Sequence, residues 1–135
     1  MEKKLTVKTT ELRGRALAWA VAQALHYEPL LLGQDDGSYA VIAHFKRGAG
    51  RGLGLFGPFD PTSDWLQGGP LLQQNGITVG ATDETDPETQ KSTARTVIPL
   101  LVSYGNDYLE AGMRHLVRVR LGETADVPVL LLPTA

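Results

Sequence analysis

Two aspartates in the middle of the chain have the residue type and the spacing that acid–base chemistry needs. Asp60 and Asp64 stand four positions apart, and a pair of carboxylates can serve as general acid and general base. A structural interpretation competes with this one. Asp60 precedes Pro61, which is typical of a turn, and Ser63 or Asp64 can cap a helical turn that contains Trp65. We favour the structural interpretation and assign no catalytic residue.

The same stretch could form the wall of a binding pocket. Trp65 either packs residues 56–69 onto the core or lines a pocket, and packing is the default because an indole is a large apolar anchor. The residues that would contact a ligand or partner in a pocket are Asp64, Trp65, Gln67, Gly68 and Gly69. The corresponding function is a small-molecule-binding protein, or an enzyme, that uses residues 56–69 as a pocket wall.

Glycines and cations upstream of this stretch form two phosphate-binding patterns. Residues 52–57 spell G-x-G-x-x-G, which holds a dinucleotide only where a helix follows directly. Pro58 and Pro61 follow instead, so we predict no cofactor. The cations that could bind phosphate beside free backbone N–H groups are Lys46, Arg47 and Arg51. The glycine content of residues 48–57 favours a flexible, solvated loop over such a site.

Metal and thiol chemistry find no support in the residue types. The histidines, His26, His44 and His115, stand far apart and show none of the close spacings of zinc ligands, so we predict no metal site. The sequence contains 0 cysteines, which excludes a disulfide framework and a thiol nucleophile. This composition fits a reducing cytoplasm.

Length and composition predict one globular domain spanning residues 1–135. The 135 residues are 42% hydrophobic and 21% charged, close to the average of soluble domains. The net charge of −2 offers no basic field, which disfavours nucleic-acid binding even through the cations of residues 46–51. Apolar stretches fall far short of the roughly 20 residues that span a bilayer, and no signal-peptide pattern occurs. We therefore expect a cytoplasmic protein without a membrane partner.

The elements that must position these residues begin with an unusually apolar helix. The predicted elements of the first half are a strand at 5–8, a helix at 11–26, and a hairpin of strands at 29–32 and 39–45. Thr9 or Thr10 can cap the helix, and Glu11 can pair with Arg15 one turn later. Apolar side chains cover two nearly opposite faces of this helix, so we expect it either at the centre of the fold or at a partner surface.

The second half predicts shorter elements and one well-marked helix. These are an irregular loop over 56–70 anchored by Phe56, Phe59 and Trp65, a short helix from Pro70 to 75–76, a strand at 77–81, a polar loop at 82–93, a strand at 96–102 and an extended tail at 127–132. Pro99 favours an edge position or a bulge for the strand at 96–102. The well-marked helix begins at Asn106 or Asp107 and ends at Gly122. Its apolar stripe includes Leu109, Met113 and Leu116, which we expect to be buried together with Trp19. Its opposite, polar stripe consists of Asp107, Glu110, Arg114 and Arg118.

Together these elements predict an α+β fold in which two main helices pack on a small antiparallel or mixed sheet of short strands.

Three stretches resemble the NinX-like family of uncharacterised phage and prophage proteins. They are VKTTELRGRALAWAVA at 7–22, SDWLQGGPLL at 63–72 and AGMRHLVRVRLG at 111–122. The central stretch is the most specific, because aspartate-tryptophan precedes glutamine-glycine-glycine-proline. The resemblance implies a phage or prophage source and action in a bacterial cytoplasm, and it carries no catalytic residue over to this chain.

We expect the function of a phage or prophage accessory protein that binds a host or phage protein, or itself, without catalysis. The apolar helix and the apolar tail at 127–132 also suggest a homodimer, because exposed apolar surface usually marks an interface. In the competing explanation, the helix is sandwiched inside one domain and the tail is an internal strand.

Overall fold

The computed structural model describes residues 3–45, 55–82 and 91–133. Within these ranges the chain forms three α-helices and eight strands, and the strands make three antiparallel sheets. The α+β class is confirmed. The expected two main helices and one sheet are wrong in detail, because a third α-helix is present and the strands divide into sheets of two, three and three strands. No helix in the described part of the chain has the length and apolar character needed to cross a bilayer.

The smallest sheet joins two strands that are far apart in the chain. Strand β1 (Lys4–Lys8) pairs antiparallel with β8 (Thr124–Pro128), and their register places Leu5 opposite Val127. Val127 is fully buried. The predicted strand at 5–8 is confirmed. The predicted extended tail is wrong at its end, because Val129–Leu131 turn into a short 3-10 helix.

Helix α1 (Gly14–Ala24) occupies the middle of the fold and is buried along almost its whole length. It contacts the third helix, β8 and the second hairpin strand, so its two apolar faces pack inside the chain. The helix begins three residues later than predicted, because Leu12 and Arg13 adopt extended backbone before Gly14, whose own φ is +58°. Residues Thr9–Glu11 form a separate 3-10 helix. Arg15 therefore donates to the Ser38 hydroxyl and to the Tyr39 carbonyl, rather than pairing with Glu11 along one helix.

The predicted hairpin forms and gains a third strand. Strand β2 (Leu30–Gly33) pairs with β3 (Tyr39–Phe45), which pairs in turn with β4 (Leu55–Pro58). Residues 46–54, which include most of the predicted flexible loop, lie outside the described residues. Strand β4 corrects two predictions. Residues 55–57 of the predicted flexible loop at 48–57 belong to a strand, and the stretch at 56–70 is not irregular throughout. Pro58 is the last residue of β4, and proline is compatible with this position because β4 is an edge strand.

Helix α2 (Trp65–Gln74) spans the last part of the predicted loop at 56–70 and most of the predicted short helix. Asp64 caps it by accepting a hydrogen bond from the Leu66 N–H at 2.9 Å. Pro70 therefore lies inside the helix, so its predicted place in the first turn is wrong. The helix end is confirmed, because Asn75 follows the last residue and Gly76 has a φ of +64°.

The third sheet contains β5 (Thr78–Ala81), β6 (Ser92–Thr96) and β7 (Leu101–Gly105) in that order. The predicted strand at 96–102 is wrong. Its residues end β6, reverse at 97–100 around a cis Ile98–Pro99 bond, and begin β7. The predicted polar loop at 82–93 lies mostly outside the described residues, and its last two residues belong to β6.

Helix α3 (Tyr108–Leu121) packs on the third sheet and forms the other half of the core. Its predicted caps are confirmed, because Asp107 accepts from the Glu110 N–H at 2.8 Å and Gly122 has a φ of +103°. The core side chains predicted from spacing are buried, namely Trp19, Leu109, Met113 and Leu116. Arg114 is only 4% exposed, so its assignment to a polar stripe is wrong.

Candidate functional site

The predicted ligand-contacting residues lie at the beginning of α2, where two of them hold the backbone. Asp64 is the helix cap described above. Gln67 accepts from the Asp60 N–H at 2.6 Å and donates to the Pro58 carbonyl at 2.8 Å. These bonds tie the end of β4 to the first turn of α2. The polar atoms of both side chains are thus engaged by the backbone rather than directed at a ligand.

The two glycines of the same turn differ in what surrounds them. A methyl group at Gly68 would meet the Pro61 carbonyl oxygen and lie 2.7 Å from a Leu109 methyl carbon, so this glycine allows α2 to approach α3. Gly69 has room beside it, with a Trp65 ring carbon 3.6 Å away. Phe59 is buried and anchors this region as predicted, whereas the Phe56 side chain lies outside the described part.

Trp65 is 54% exposed, so its predicted packing onto the core is wrong. It lines an open groove of about 590 Å³. The groove is lined by Thr62, Ser63, Trp65, Lys91, Ser92, Asn106, Asp107, Tyr108 and Leu109. The structure therefore brings Trp65 to a surface groove, but the groove lining does not include Asp64, Gln67, Gly68 or Gly69.

The predicted phosphate-binding cations Lys46, Arg47 and Arg51 lie outside the described residues, together with most of the glycine pattern at 52–57. In the part of the chain that the structure describes, no group of three or more histidine, aspartate or glutamate side chains is placed to hold a metal ion.

The turn between β6 and β7 presents an apolar surface that the sequence patterns did not separate from the strands. Val97, Ile98 and Leu100 are 79%, 92% and 82% exposed. Val102 and Tyr104 on β7 are also exposed. We name residues 97–100 the apolar turn. Pro99 within a run of β-branched residues was the available signal, because proline is rarely found in the middle of a strand.

A chain of hydrogen bonds connects the apolar turn to the core through His115, which has 0% exposure. Its Nε2 lies 2.8 Å from the Thr96 hydroxyl, and its Nδ1 lies 2.9 Å from the Ser103 hydroxyl. The Thr96 hydroxyl donates to the Pro99 carbonyl at 2.6 Å. Burial lowers the pKa of His115, and the nearby positive charge of Arg118 lowers it further.

Buried Arg114 joins three separate parts of the chain. Its Nε donates to the Leu12 carbonyl at 2.6 Å, and one terminal nitrogen donates to the Tyr104 carbonyl at 3.0 Å. The other terminal nitrogen forms an ion pair with Glu110 at 3.0 Å. Burial lowers its pKa, an effect that Glu110 opposes. Its bonds, and that of Arg118 to the Val102 carbonyl at 2.8 Å, cover the open edge of β7.

These features define a class of small α+β protein with an exposed apolar turn supported by buried polar side chains. At the predicted ligand site, Asp64 caps α2 and Gln67 bonds the first turn of α2 to the end of β4. The family model described as Bacteriophage P22, NinX matches residues 8–120, and the chain belongs to this family. No match is found among curated proteins.

Proposed function

We propose that this protein is a phage accessory protein that binds another protein without catalysing a reaction, in the cytoplasm of the bacterial host. The observation that carries the proposal is the apolar turn. Membership of a phage family supports the accessory role.

The apolar turn suits protein binding because its side chains can lose water contact without rearranging the core. Ile98 and Leu100 are more than four-fifths exposed, and burying an aliphatic side chain of this size stabilises by about 1.5–3 kcal/mol. Contiguous exposed apolar surface on a small protein usually marks an interface. Val102 and Tyr104 lie on the adjoining strand and would extend the contact.

Two other functions have less support. A small-molecule site at residues 56–69 would need polar groups directed at a ligand, whereas Asp64 and Gln67 bond to the backbone. The open groove beside Trp65 is the observation that still supports a small-molecule site. The apolar faces of α1 no longer indicate self-association, because that helix is packed inside the chain. The predicted homodimer stays a prediction, with the apolar turn as the surface to test.

The proposal is tested by exchanging one exposed leucine or isoleucine for a charge. Ile98→Asp removes the apolar contact in the turn, and Leu66→Asp is the matched control because Leu66 is 89% exposed on α2. Both variants should keep the wild-type urea midpoint. Tagged wild type and variants are then used to capture proteins from phage-infected host cells, and light scattering gives the mass of each free protein.

We expect at least one protein to be captured by wild type and by Leu66→Asp, and to be reduced about tenfold or more with Ile98→Asp. A dimer mass lost in Ile98→Asp alone would identify a second copy as the partner. Identical captured proteins and identical masses for all three chains would contradict the proposal.

A further inference from the structure

The hydrogen bonds around His115 have a direction that fixes the position of its proton. The Pro99 carbonyl can only accept, so the Thr96 hydroxyl, 2.6 Å away, donates its proton there. The Thr96 oxygen then accepts from His115, which places the imidazole proton on Nε2. Burial and the nearby charge of Arg118 lower the pKa of His115 and favour the neutral ring, in which Nδ1 accepts from the Ser103 hydroxyl at 2.9 Å. Both ring nitrogens thus have a partner.

This chain of bonds ends on the backbone of the apolar turn. Thr96 is the last residue of β6, and Pro99 lies between the exposed side chains of Ile98 and Leu100. The Thr96 hydroxyl is therefore held from one side by a rigid, fully buried ring and holds the turn on the other side.

We propose that His115 is a positioning residue, which acts through its Nε2–H and Thr96 to hold the apolar turn in its protein-binding conformation. This inference rests on the proposed function for its meaning, but the conformational claim can be tested without a partner.

Protonation of His115 would change only the bond to Ser103. A proton on Nδ1 would require the Ser103 hydroxyl to rotate and accept, whereas the bond from Nε2–H to Thr96 would stay in place. Strands β6 and β7 face the ring with the Thr96 and Ser103 hydroxyls, and Arg118 repels a positive charge there. In the described ranges, the other titratable side chains on the elements packed against α3 are exposed, namely Glu11, Arg15, Arg95, Tyr104 and Asp126.

The test records methyl NMR spectra of the full chain carrying Thr96→Val or Thr96→Ser. Valine keeps the shape of threonine but removes the hydroxyl, and serine restores it. We expect the methyl signals of Ile98 and Leu100 to shift in Thr96→Val and to return towards wild type in Thr96→Ser, while core methyl signals stay in place. Unshifted turn signals in Thr96→Val would overturn the positioning role, and so would a wild-type imidazole with its proton on Nδ1.

The positioning role and the docking function can fail separately. Turn signals that shift in Thr96→Val, in a protein whose Ile98→Asp variant captures the same partners as wild type, would retain the inference and reject the docking function.

Discussion

Replacing Gly105 by alanine should separate β7 from α3 at the point where their backbones touch. A methyl group on Gly105 would press on the Ala111 amide nitrogen, and it would lie 2.8 Å from Ala111 Cα and 2.9 Å from the Glu110 carbonyl carbon. Favourable carbon contacts begin at about 3.5 Å. These atoms belong to the backbone of a capped helix, so they cannot rotate away as the end of a flexible side chain could.

The magnitude follows from the cost of overpacking. Extra carbon atoms in a well-packed interior cost about 1–3 kcal/mol, and a backbone obstacle places this substitution near the upper value. With a urea dependence of about 2 kcal/mol per molar, the unfolding midpoint should fall by roughly 1–1.5 M.

Gly80→Ala is the matched control, because Gly80 also lies in a strand of the same sheet and has nothing within 4 Å of an added methyl group. Alanine there should leave the free energy of unfolding unchanged or raise it by about 0.5–1 kcal/mol, since it restricts the unfolded chain. Urea unfolding followed by circular dichroism measures both variants. Equal midpoints for Gly105→Ala and Gly80→Ala would refute the close backbone contact.

Three further predictions use the same urea measurement. Leu116→Ala should lower the free energy of unfolding by about 2–5 kcal/mol, because its side chain is 1% exposed, and a loss below about 0.5 kcal/mol would place it outside the core. Arg114→Met should cost about 3 kcal/mol, because Glu110 and two backbone carbonyls lose their donor, and wild-type stability would contradict that role. Folding lowers the pKa of His115 below its ordinary value of 6.5. Just below that pH, His115 therefore takes up a proton in the unfolded chain but not in the folded protein. Stability should thus be constant above that pH and fall with acidification, and a profile that rises towards pH 5.5 would refute the assignment.

Helix α3 was predictable because several independent signals agree along it. The Asp107 cap, the apolar stripe through Leu109, Met113 and Leu116, and the closing Gly122 all indicate the same helix. Arg114 was assigned to a polar, solvent-exposed stripe. Helical spacing predicts the direction of a side chain, but it does not reveal the backbone carbonyl groups that can accept its hydrogen bonds in the interior. Its partner Leu12 is 102 residues away in the chain.

Other elements depended on backbone angles or distant contacts that residue types leave open. Leu12 and Arg13 could have continued α1 towards Glu11, but both adopt extended backbone and delay the helix to Gly14. Trp65 was a reasonable anchor, yet Phe59 is the aromatic side chain of this stretch that is buried, whereas the indole of Trp65 is exposed. At 96–102, β-branched residues predicted a strand, and Pro99 in its middle marked the reversal that exposes the apolar turn.

The pairing of β1 with β8 determines when this protein can finish folding during its synthesis. Thr6 and Asp126, which bond across that pair, are separated by 120 positions. At about 5–20 residues per second, a ribosome delivers β8 roughly 6–24 s after β1. The alanine-rich helix α1 between them must wait somewhat less long for α3, its main partner in the core. During that interval the nascent chain presents its most apolar helix to the cell, so chaperone capture should concentrate on chains that are still being translated.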